Sequence, residues 1–226
     1  MTIQKLPNGE TNPAWVRERQ SKAGASVMCE IFKDCAHDEI PVAKTGRKTD
    51  EPSEGRATLA KKLAAERLTG YSVNNVNPNN PDIKRGNDLE PVALAAYEVK
   101  HGVFLDVARW VEHPEIPMSG CTPDSFHPDG GLIQVKAPRV DNYVKHVLDG
   151  NIPSEWIVQL IWEQAVTRAP WTDFVMYCEE MPEGKKMWIK RFAATAEQID
   201  AMEAEVRKFV AEVEHIFDTI STMEFA

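Results

Sequence analysis

The stretch GCTPDSFHPDGGLIQVKAP, residues 120–138, decides the fold of this chain. It places Asp124 just after one strand-like segment and Lys136, twelve positions later, near the end of the next. Because the side chains of a strand alternate between its two faces, Gln134 and Lys136 should share a face. The turn residues His127–Gly130 predict a hairpin between the two segments, which would bring Asp124 beside that face.

Outward from this hairpin, the sequence predicts helices that flank a group of strands. Apolar runs bounded by turn residues predict strands at Val103–Val111, Met118–Cys121, Gly131–Lys136, Phe174–Cys178 and Met187–Phe192. Helical spacing predicts helices at Arg56–Leu68, Ala93–Val99, Asp141–Leu148, Ser154–Thr167 and Thr195–Thr219, and two short pieces between Trp15 and Phe32. The expected fold is α/β (α+β), with a central mixed β-sheet flanked by helices.

The chain is expected to form one domain, since 226 residues suit a single α/β core. Residues 1–13 are polar and contain two prolines, which predicts a flexible arm ahead of a single domain at 14–226. Residues 72–82 predict a loop. Pro91 leaves the start of the following helix open: the helix either begins near Glu90 or bends at the proline.

The charge balance limits the kinds of DNA-related function that fit. The chain has 26 basic and 35 acidic residues, a formal net charge of −9. A protein that coats DNA is usually basic, because neutralising phosphates supplies most of its affinity. The charge therefore argues against a coating protein, but not against an enzyme that confines its basic residues to one groove.

Membrane and secretory patterns are absent from the sequence. It contains no run of eighteen apolar residues, and its N-terminus lacks the apolar segment of a secretory signal. The four cysteines lack metal-binding CxxC spacing, which predicts free thiols in a reducing cytoplasm. A zinc site at Cys29, Cys35 and His37 is a weaker alternative.

Asp124, Gln134 and Lys136 form a pattern that suits phosphodiester hydrolysis. Carboxylate oxygens bind magnesium, the metal polarises the phosphate and activates water, and an ammonium group stabilises developing charge. The pattern is short, however, and recurs by chance. On this fragment alone, a turn aspartate and a solvated strand lysine are the better explanation.

Three further features favour the catalytic interpretation. Glu90 lies in a helical pattern ahead of the strands, in KRGNDLEPVALAAYE. Gln159 lies on a downstream helix, in WIVQLIWEQ, where packing alone does not explain an inward amide. Arg19 and Ser26 stand seven residues apart in WVRERQSKAGAS, near the N-terminus.

The order of these residues resembles that of lambda exonuclease and the related YqaJ-type viral recombinases. The resemblance runs from about Trp15 to the C-terminal helix and rests on CTPDS, GLIQVKAP and WIVQLIW together. It implies the restriction-endonuclease-like core of the PD-(D/E)XK nucleases. It also implies that Glu90, Asp124, Gln134 and the carbonyl of Val135 hold Mg²⁺, with Mn²⁺ as a possible substitute.

The resemblance assigns roles to the other residues of the pattern. Lys136 would be the catalytic lysine, and Gln159 would sit beside the site on a supporting helix. Arg19, Ser26 and Thr122 match positions that hold the 5′-phosphate of a DNA end. A guanidinium group and hydroxyl groups suit that role, because all of them donate hydrogen bonds to phosphate oxygens.

The chain departs from the family pattern at two positions. Where the family has a further phosphate-binding arginine, this chain has Asn142, and Arg139 is the expected substitute. Where family members carry Glu, this chain has Gln134, whose amide lacks the negative charge that hard cations favour. Three explanations stay open: a working natural variant, an engineered substitution that traps DNA, or a degenerate member that binds ends without cutting.

The function implied by the resemblance is a Mg²⁺-dependent 5′-to-3′ exonuclease on double-stranded DNA ends, leaving 3′ overhangs for phage-type recombination. A homotrimeric ring around the DNA and a single-strand annealing protein as partner are also implied. A related endonuclease, Cas4-like or of restriction type, is the enzyme alternative, although the cysteines lack the placement of an iron–sulfur cluster. A catalytically silent protein that binds DNA ends is the alternative from another class.

Overall fold

The computed structural model describes residues 12–32, 39–41, 53–73 and 80–224 of the chain. Of the arm expected at residues 1–13, residues 1–11 lie outside the described residues, and the first helix already begins at Pro13. The zinc alternative cannot be followed either, because Cys35 and His37 lie outside them. None of the helices described is both long and apolar enough to cross a bilayer.

Within those ranges the chain forms helices that flank two sheets. The helices are α1 (Pro13–Arg19), α2 (Met28–Phe32), α3 (Glu54–Thr69), α4 (Pro81–His101), α5 (Val140–Asp149), α6 (Ser154–Thr167) and α7 (Ala196–Thr222). The strands are β1 (Ala23–Gly24), β2 (Asp106–Val107), β3 (Val111–Glu112), β4 (Ser119–Cys121), β5 (Ser125–Phe126), β6 (Leu132–Lys136), β7 (Thr172–Tyr177) and β8 (Met187–Phe192). The α/β prediction is confirmed.

Both sheets are mixed. The larger has the strand order β2-β5-β6-β7-β8, in which β6 and β7 are parallel and the other neighbours are antiparallel. The smaller has the order β1-β4-β3, in which β1 and β4 are parallel. The single strand predicted at Val103–Val111 is divided between them, because β2 pairs in the larger sheet and β3 in the smaller.

Strand β6 lies between α4 and α6, and its alternation decides which side chains reach the site. Ile133 and Val135 pack into the apolar cluster beneath α4. Gln134 and Lys136 point to the opposite face and line a common cavity. On that face Phe174, the partner of Gln134 on β7, packs in the cluster beneath α6. The shared face predicted for Gln134 and Lys136 is thus observed.

Helix α4 begins earlier than predicted. Asn80 caps it by accepting a hydrogen bond from the amide of Asp82 at 2.9 Å, and Pro81 occupies the first turn, where its missing N–H is harmless. The helix then continues through Pro91. Asp82, predicted to lie in a loop, is therefore in the first turn of the helix, and Glu90 lies near the middle of a 21-residue helix rather than at its start.

Strand β4 is held against helix α6 by a buried tryptophan and against its neighbour β3 by a close approach at Gly120. Trp162 is fully buried, and its indole donates a hydrogen bond to the Gly120 carbonyl at 3.0 Å. Gly120 has no room for a side chain, because a Cβ there would overlap the Val111 carbonyl and the Trp110 ring. This packing brings Thr122, one residue past β4, to the same cavity as the side chains of α6.

Candidate active site

A cavity of about 240 Å³ lies between α1, α4, β6 and α6. Eight of the ten predicted site residues line it: Arg19, Ser26, Glu90, Thr122, Asp124, Gln134, Lys136 and Gln159. Trp15, Ala25, Ala108 and Pro123 complete the wall and were not predicted. Val135 and Arg139 do not line it. The structure therefore gathers residues that are as far as 140 positions apart in sequence into one site.

The hairpin of β5 and β6 fixes the carboxylate of Asp124. Its Oδ2 accepts hydrogen bonds from Gln134 Nε2 at 2.7 Å and from the backbone amide of Val135 at 2.6 Å. Burial raises the pKa of Asp124, although the charge of Lys136 and the two donors oppose the shift. The predicted position of Asp124 beside the Gln134–Lys136 face is observed.

A chain of hydrogen bonds holds Lys136 and ends inside α6. Lys136 Nζ donates to Gln159 Oε1 at 3.1 Å, and Gln159 Nε2 donates to Glu163 Oε1 at 2.7 Å. Glu163 is fully buried, and its pKa is raised to about 8, first by burial and then by the charge of Asp124. Glu163 was not among the predicted site residues. The available signal was its spacing, four residues after Gln159, which puts both on one helix face.

A second corner of the cavity is suited to an anion. The Arg19 guanidinium lies 4.1 Å from the ring centroid of Trp15 and 5.7 Å from that of Trp110. Burial lowers the pKa of Arg19, and in the described parts of the chain its charge is not paired with a carboxylate. Thr122 Oγ1 is also buried and has no hydrogen-bond partner there. A phosphate would supply both the negative charge and the acceptor oxygens.

The two remaining residues predicted to contact phosphate are placed differently. Ser26 is exposed and lines the cavity. Arg139 directly precedes α5, and its Nε donates to Asp82 Oδ1 at 2.9 Å. It lines a separate cavity of about 670 Å³ together with Arg85. The structure therefore does not bring Arg139 to the predicted phosphate site.

The oxygen atoms of the cavity suit a hard cation. Glu90 and Asp124 contribute carboxylates, and Gln134 Oε1 is buried with no partner among the described residues. Val135 contacts Asp124 through its amide. Within the described ranges no three His, Cys, Asp or Glu side chains form a metal-binding group. The donor set present fits Mg²⁺ through two carboxylates and an amide oxygen, with water as the other ligands.

Comparison with known proteins identifies a family. Residues 14–170 match the model of the YqaJ-like viral recombinase domain. No curated protein matches the chain significantly. The alkaline exonuclease LHK-Exo from Laribacter hongkongensis is 26% identical, with a TM-score of 0.79 over 93% of this chain and 96% of its own.

Two more solved structures agree with that match. The structure of LHK-Exo in complex with dAMP is 26% identical, with a TM-score of 0.79 over 92% of this chain and 96% of its own. A phage-related exonuclease from Haemophilus somnus 129PT is 13% identical and shares the fold, with a TM-score of 0.67 over 88% of this chain and 96% of its own. The resemblance seen in the sequence is confirmed. This chain belongs to the YqaJ-like viral recombinase family.

Proposed function

We propose that the protein is a Mg²⁺-dependent 5′-to-3′ exonuclease that acts on double-stranded DNA ends and leaves 3′ single-stranded overhangs. The observation that carries the proposal is one cavity that joins Asp124 and Lys136 to Arg19 and Thr122. Asp124 and Lys136 are the residues suited to hydrolysis, and Arg19 and Thr122 are those suited to binding an anion. Their proximity fits a substrate whose terminal phosphate is bound while a neighbouring phosphodiester is cut. The similarity to an alkaline exonuclease supports the same class of reaction.

The metal-binding part of the proposal rests on Glu90, Asp124 and Gln134, whose side-chain oxygens would hold the cation. When bound there, Mg²⁺ would polarise the scissile phosphate and make a water molecule more acidic. The protein fixes the Asp124 carboxylate in one orientation through the Gln134 amide and the Val135 backbone. These contacts pre-organise the site before substrate arrives.

Lys136 would act on the reacting phosphate itself. Its Nζ is held by Gln159 Oε1 at 3.1 Å on the wall that also carries Asp124. An ammonium group in this position offsets the negative charge that develops on the phosphate oxygens during attack by water.

The direction of digestion would come from the anion-binding corner. Arg19 would pair with the 5′-phosphate while stacked against Trp15, and Thr122 Oγ1 would donate one more hydrogen bond. An end that lacks this phosphate would leave the Arg19 charge without a partner. The corner therefore favours 5′-phosphorylated ends over 5′-hydroxyl ends.

The proposal includes an assembly and a setting. A homotrimeric ring around the duplex, with basic residues in its lumen and acidic residues outside, would reconcile a net charge of −9 with a DNA substrate. A single-strand annealing protein would take up the exposed 3′ strand. The setting would be phage-type recombination in the cytoplasm of a bacterial host.

The test is Mg²⁺-dependent digestion of linear duplex DNA that carries either a 5′-phosphate or a 5′-hydroxyl. We expect faster digestion of the phosphorylated end and complete dependence on the divalent cation. Closed circular DNA is the control, because an endonuclease would nick it and an end-dependent exonuclease would not. Nicking of the circle, or equal rates on both ends, would contradict the proposal.

A second candidate function follows from Gln134. Its amide nitrogen is hydrogen-bonded to Asp124 at 2.7 Å, an arrangement that satisfies the aspartate without any cation. A protein of this kind could bind DNA ends and not cut them. The Gln134→Glu variant separates the two candidates: if only that variant digests DNA, this chain is a silent end-binding protein.

A further inference from the structure

Glu163 is a buried acid that the proposed reaction does not use directly. It lies on α6, fully buried, and Oε1 accepts the hydrogen bond from Gln159 Nε2 at 2.7 Å. Its Oε2 is buried with no hydrogen-bond partner among the described residues. Burying a carboxylate oxygen without a partner costs free energy, so a purely structural role would be better served by an apolar side chain.

The hydrogen-bond chemistry of Gln159 shows what Glu163 can do. A lysine ammonium group only donates hydrogen bonds, so Lys136 requires the oxygen end of the Gln159 amide. The nitrogen end then has two hydrogens to donate and needs an acceptor on the other side. Glu163 Oε1 is that acceptor. If the amide turned over, its NH₂ group would face the ammonium group and leave it without an acceptor.

We infer that Glu163 is a positioning residue for Lys136. By accepting from Gln159 Nε2, it holds the Gln159 amide with its oxygen toward Lys136, and the ammonium group is thereby held in the cavity. The inference rests on the proposed function, in which Lys136 contacts the reacting phosphate. It assigns the Glu163 carboxylate the task of orienting an amide, and makes no use of direct contact with DNA or metal.

Two substitutions distinguish orientation from charge. Glu163→Met removes the acceptor and keeps a side chain of similar length. At about pH 9, above its pKa of about 8, the Glu163 carboxyl is ionised, and Glu163→Gln then removes the charge and keeps an oxygen that can accept the same hydrogen bond. We expect Glu163→Met to lower kcat about tenfold, the loss of roughly one hydrogen bond. Glu163→Gln should retain kcat to within about threefold, and KM for 5′-phosphorylated duplex should be unchanged in both.

Gln164 on the same helix provides a matched control. It is buried, donates to Thr172 Oγ1 at 3.0 Å and accepts from the Ala194 amide at 2.9 Å, and has no bond to the cavity residues. Gln164→Met should therefore lower the free energy of unfolding and leave kcat unchanged. Glu163→Met should instead lower kcat and leave the free energy of unfolding equal to or above that of the unmodified chain.

A second measurement does not depend on nuclease activity. The rate of reductive methylation of Lys136, followed by mass spectrometry in the metal-free protein, reports how firmly Nζ is held. We expect it to rise about threefold or more in Glu163→Met, as the bond to Gln159 weakens, and to stay unchanged in Glu163→Gln and Gln164→Met.

The two measurements keep the inference separate from the proposed function. Absence of digestion by the unmodified chain would refute the nuclease proposal, while the methylation rates would still report on Glu163. Unchanged methylation of Lys136 in Glu163→Met would overturn the inference whatever the activity. So would an active chain in which Glu163→Gln loses as much kcat as Glu163→Met, because charge would then be the cause.

Discussion

Replacing Thr122 with valine should separate stability from substrate recognition. Thr122 Oγ1 is buried and has no hydrogen-bond partner among the described residues. Valine has almost the same shape and no hydroxyl group, so the packing around β4 is preserved. If the hydroxyl serves only to bind a 5′-phosphate, its removal should help the free protein fold and should harm binding of the DNA end.

The expected magnitudes have opposite signs for these reasons. A buried polar group without a partner costs about 1–3 kcal/mol, so Thr122→Val should raise the free energy of unfolding by about 1 kcal/mol once residual solvation is allowed for. A hydrogen bond to a charged group contributes about 1.5–3 kcal/mol. Its loss should reduce the preference for 5′-phosphorylated over 5′-hydroxyl ends by about 10- to 100-fold.

The assay combines urea unfolding with digestion rates on the two kinds of end. Thr172→Val is the matched control, because Thr172 is fully buried and its Oγ1 accepts a hydrogen bond from Gln164 at 3.0 Å. The control should lose stability and keep the end preference. A destabilised Thr122→Val protein with an unchanged end preference would refute the assignment of this hydroxyl to the phosphate.

Three further changes test the site and the fold. Lys136→Gln should lower kcat at least about 100-fold without altering the unfolding curve, as measured by single-turnover digestion and circular dichroism. Gly131→Ala should destabilise by about 2 kcal/mol in urea unfolding, since a Cβ there would overlap the Trp171 ring. Burial alone would raise the pKa of Asp173, but hydrogen bonds, chiefly from Arg191, outweigh it and lower the pKa. The Asp173–Arg191 pair therefore adds to the free energy of unfolding above the pKa of Asp173 in the unfolded chain, and this contribution is lost as pH falls through the lower pKa of the folded state. Asp173→Asn should cost about 2 kcal/mol at pH 7 and progressively less below about pH 4. Thermal unfolding measured as a function of pH checks both values.

The parts of the site that could be predicted from sequence are those set by local geometry. Because side chains alternate along β6, Gln134 and Lys136 share a face. The turn after Phe126 then brings that face of β6 back beside Asp124. Both statements follow from chain geometry over fewer than twenty residues. They needed no knowledge of how the sheets and helices pack.

Apart from its spacing from Gln159, the sequence gives no sign that Glu163 faces the site, because α6 is apolar around most of its circumference. Periodicity identifies an inward face only when the other face is polar. In WIVQLIWEQAV, hydrophobic periodicity alone assigns a direction to neither Glu163 nor Gln164, and both prove to be buried. Their different partners, Gln159 in one case and Thr172 in the other, depend on how α6 crosses the sheet.

Two other differences have the same kind of cause. The start of α4 was not predicted because Asn80 and Pro81 are the last residues of an Asn- and Pro-rich stretch that is typical of a loop. The same two residues serve as the N-cap and the first-turn proline of the helix. Arg139 has the right distance in sequence from the motif lysine, but α5 begins directly after it. The resulting direction of the chain takes its side chain to Asp82 and away from the cavity.

The distribution of unpaired buried atoms supports one site rather than several. Folded proteins satisfy nearly all buried polar groups, so each exception calls for a reason. Six side-chain atoms in the described parts of the chain are buried without a partner, and four belong to residues that line the cavity or lie directly behind it: Trp15, Thr122, Gln134 and Glu163. The first two flank the Arg19 corner, and the last two belong to the Asp124–Lys136 side. Packing constraints alone would scatter such atoms through the core. Their concentration on both sides of one cavity is expected if a substrate phosphate and a cation complete the hydrogen bonding of Trp15, Thr122 and Gln134, while Glu163 supports the Lys136 side from behind.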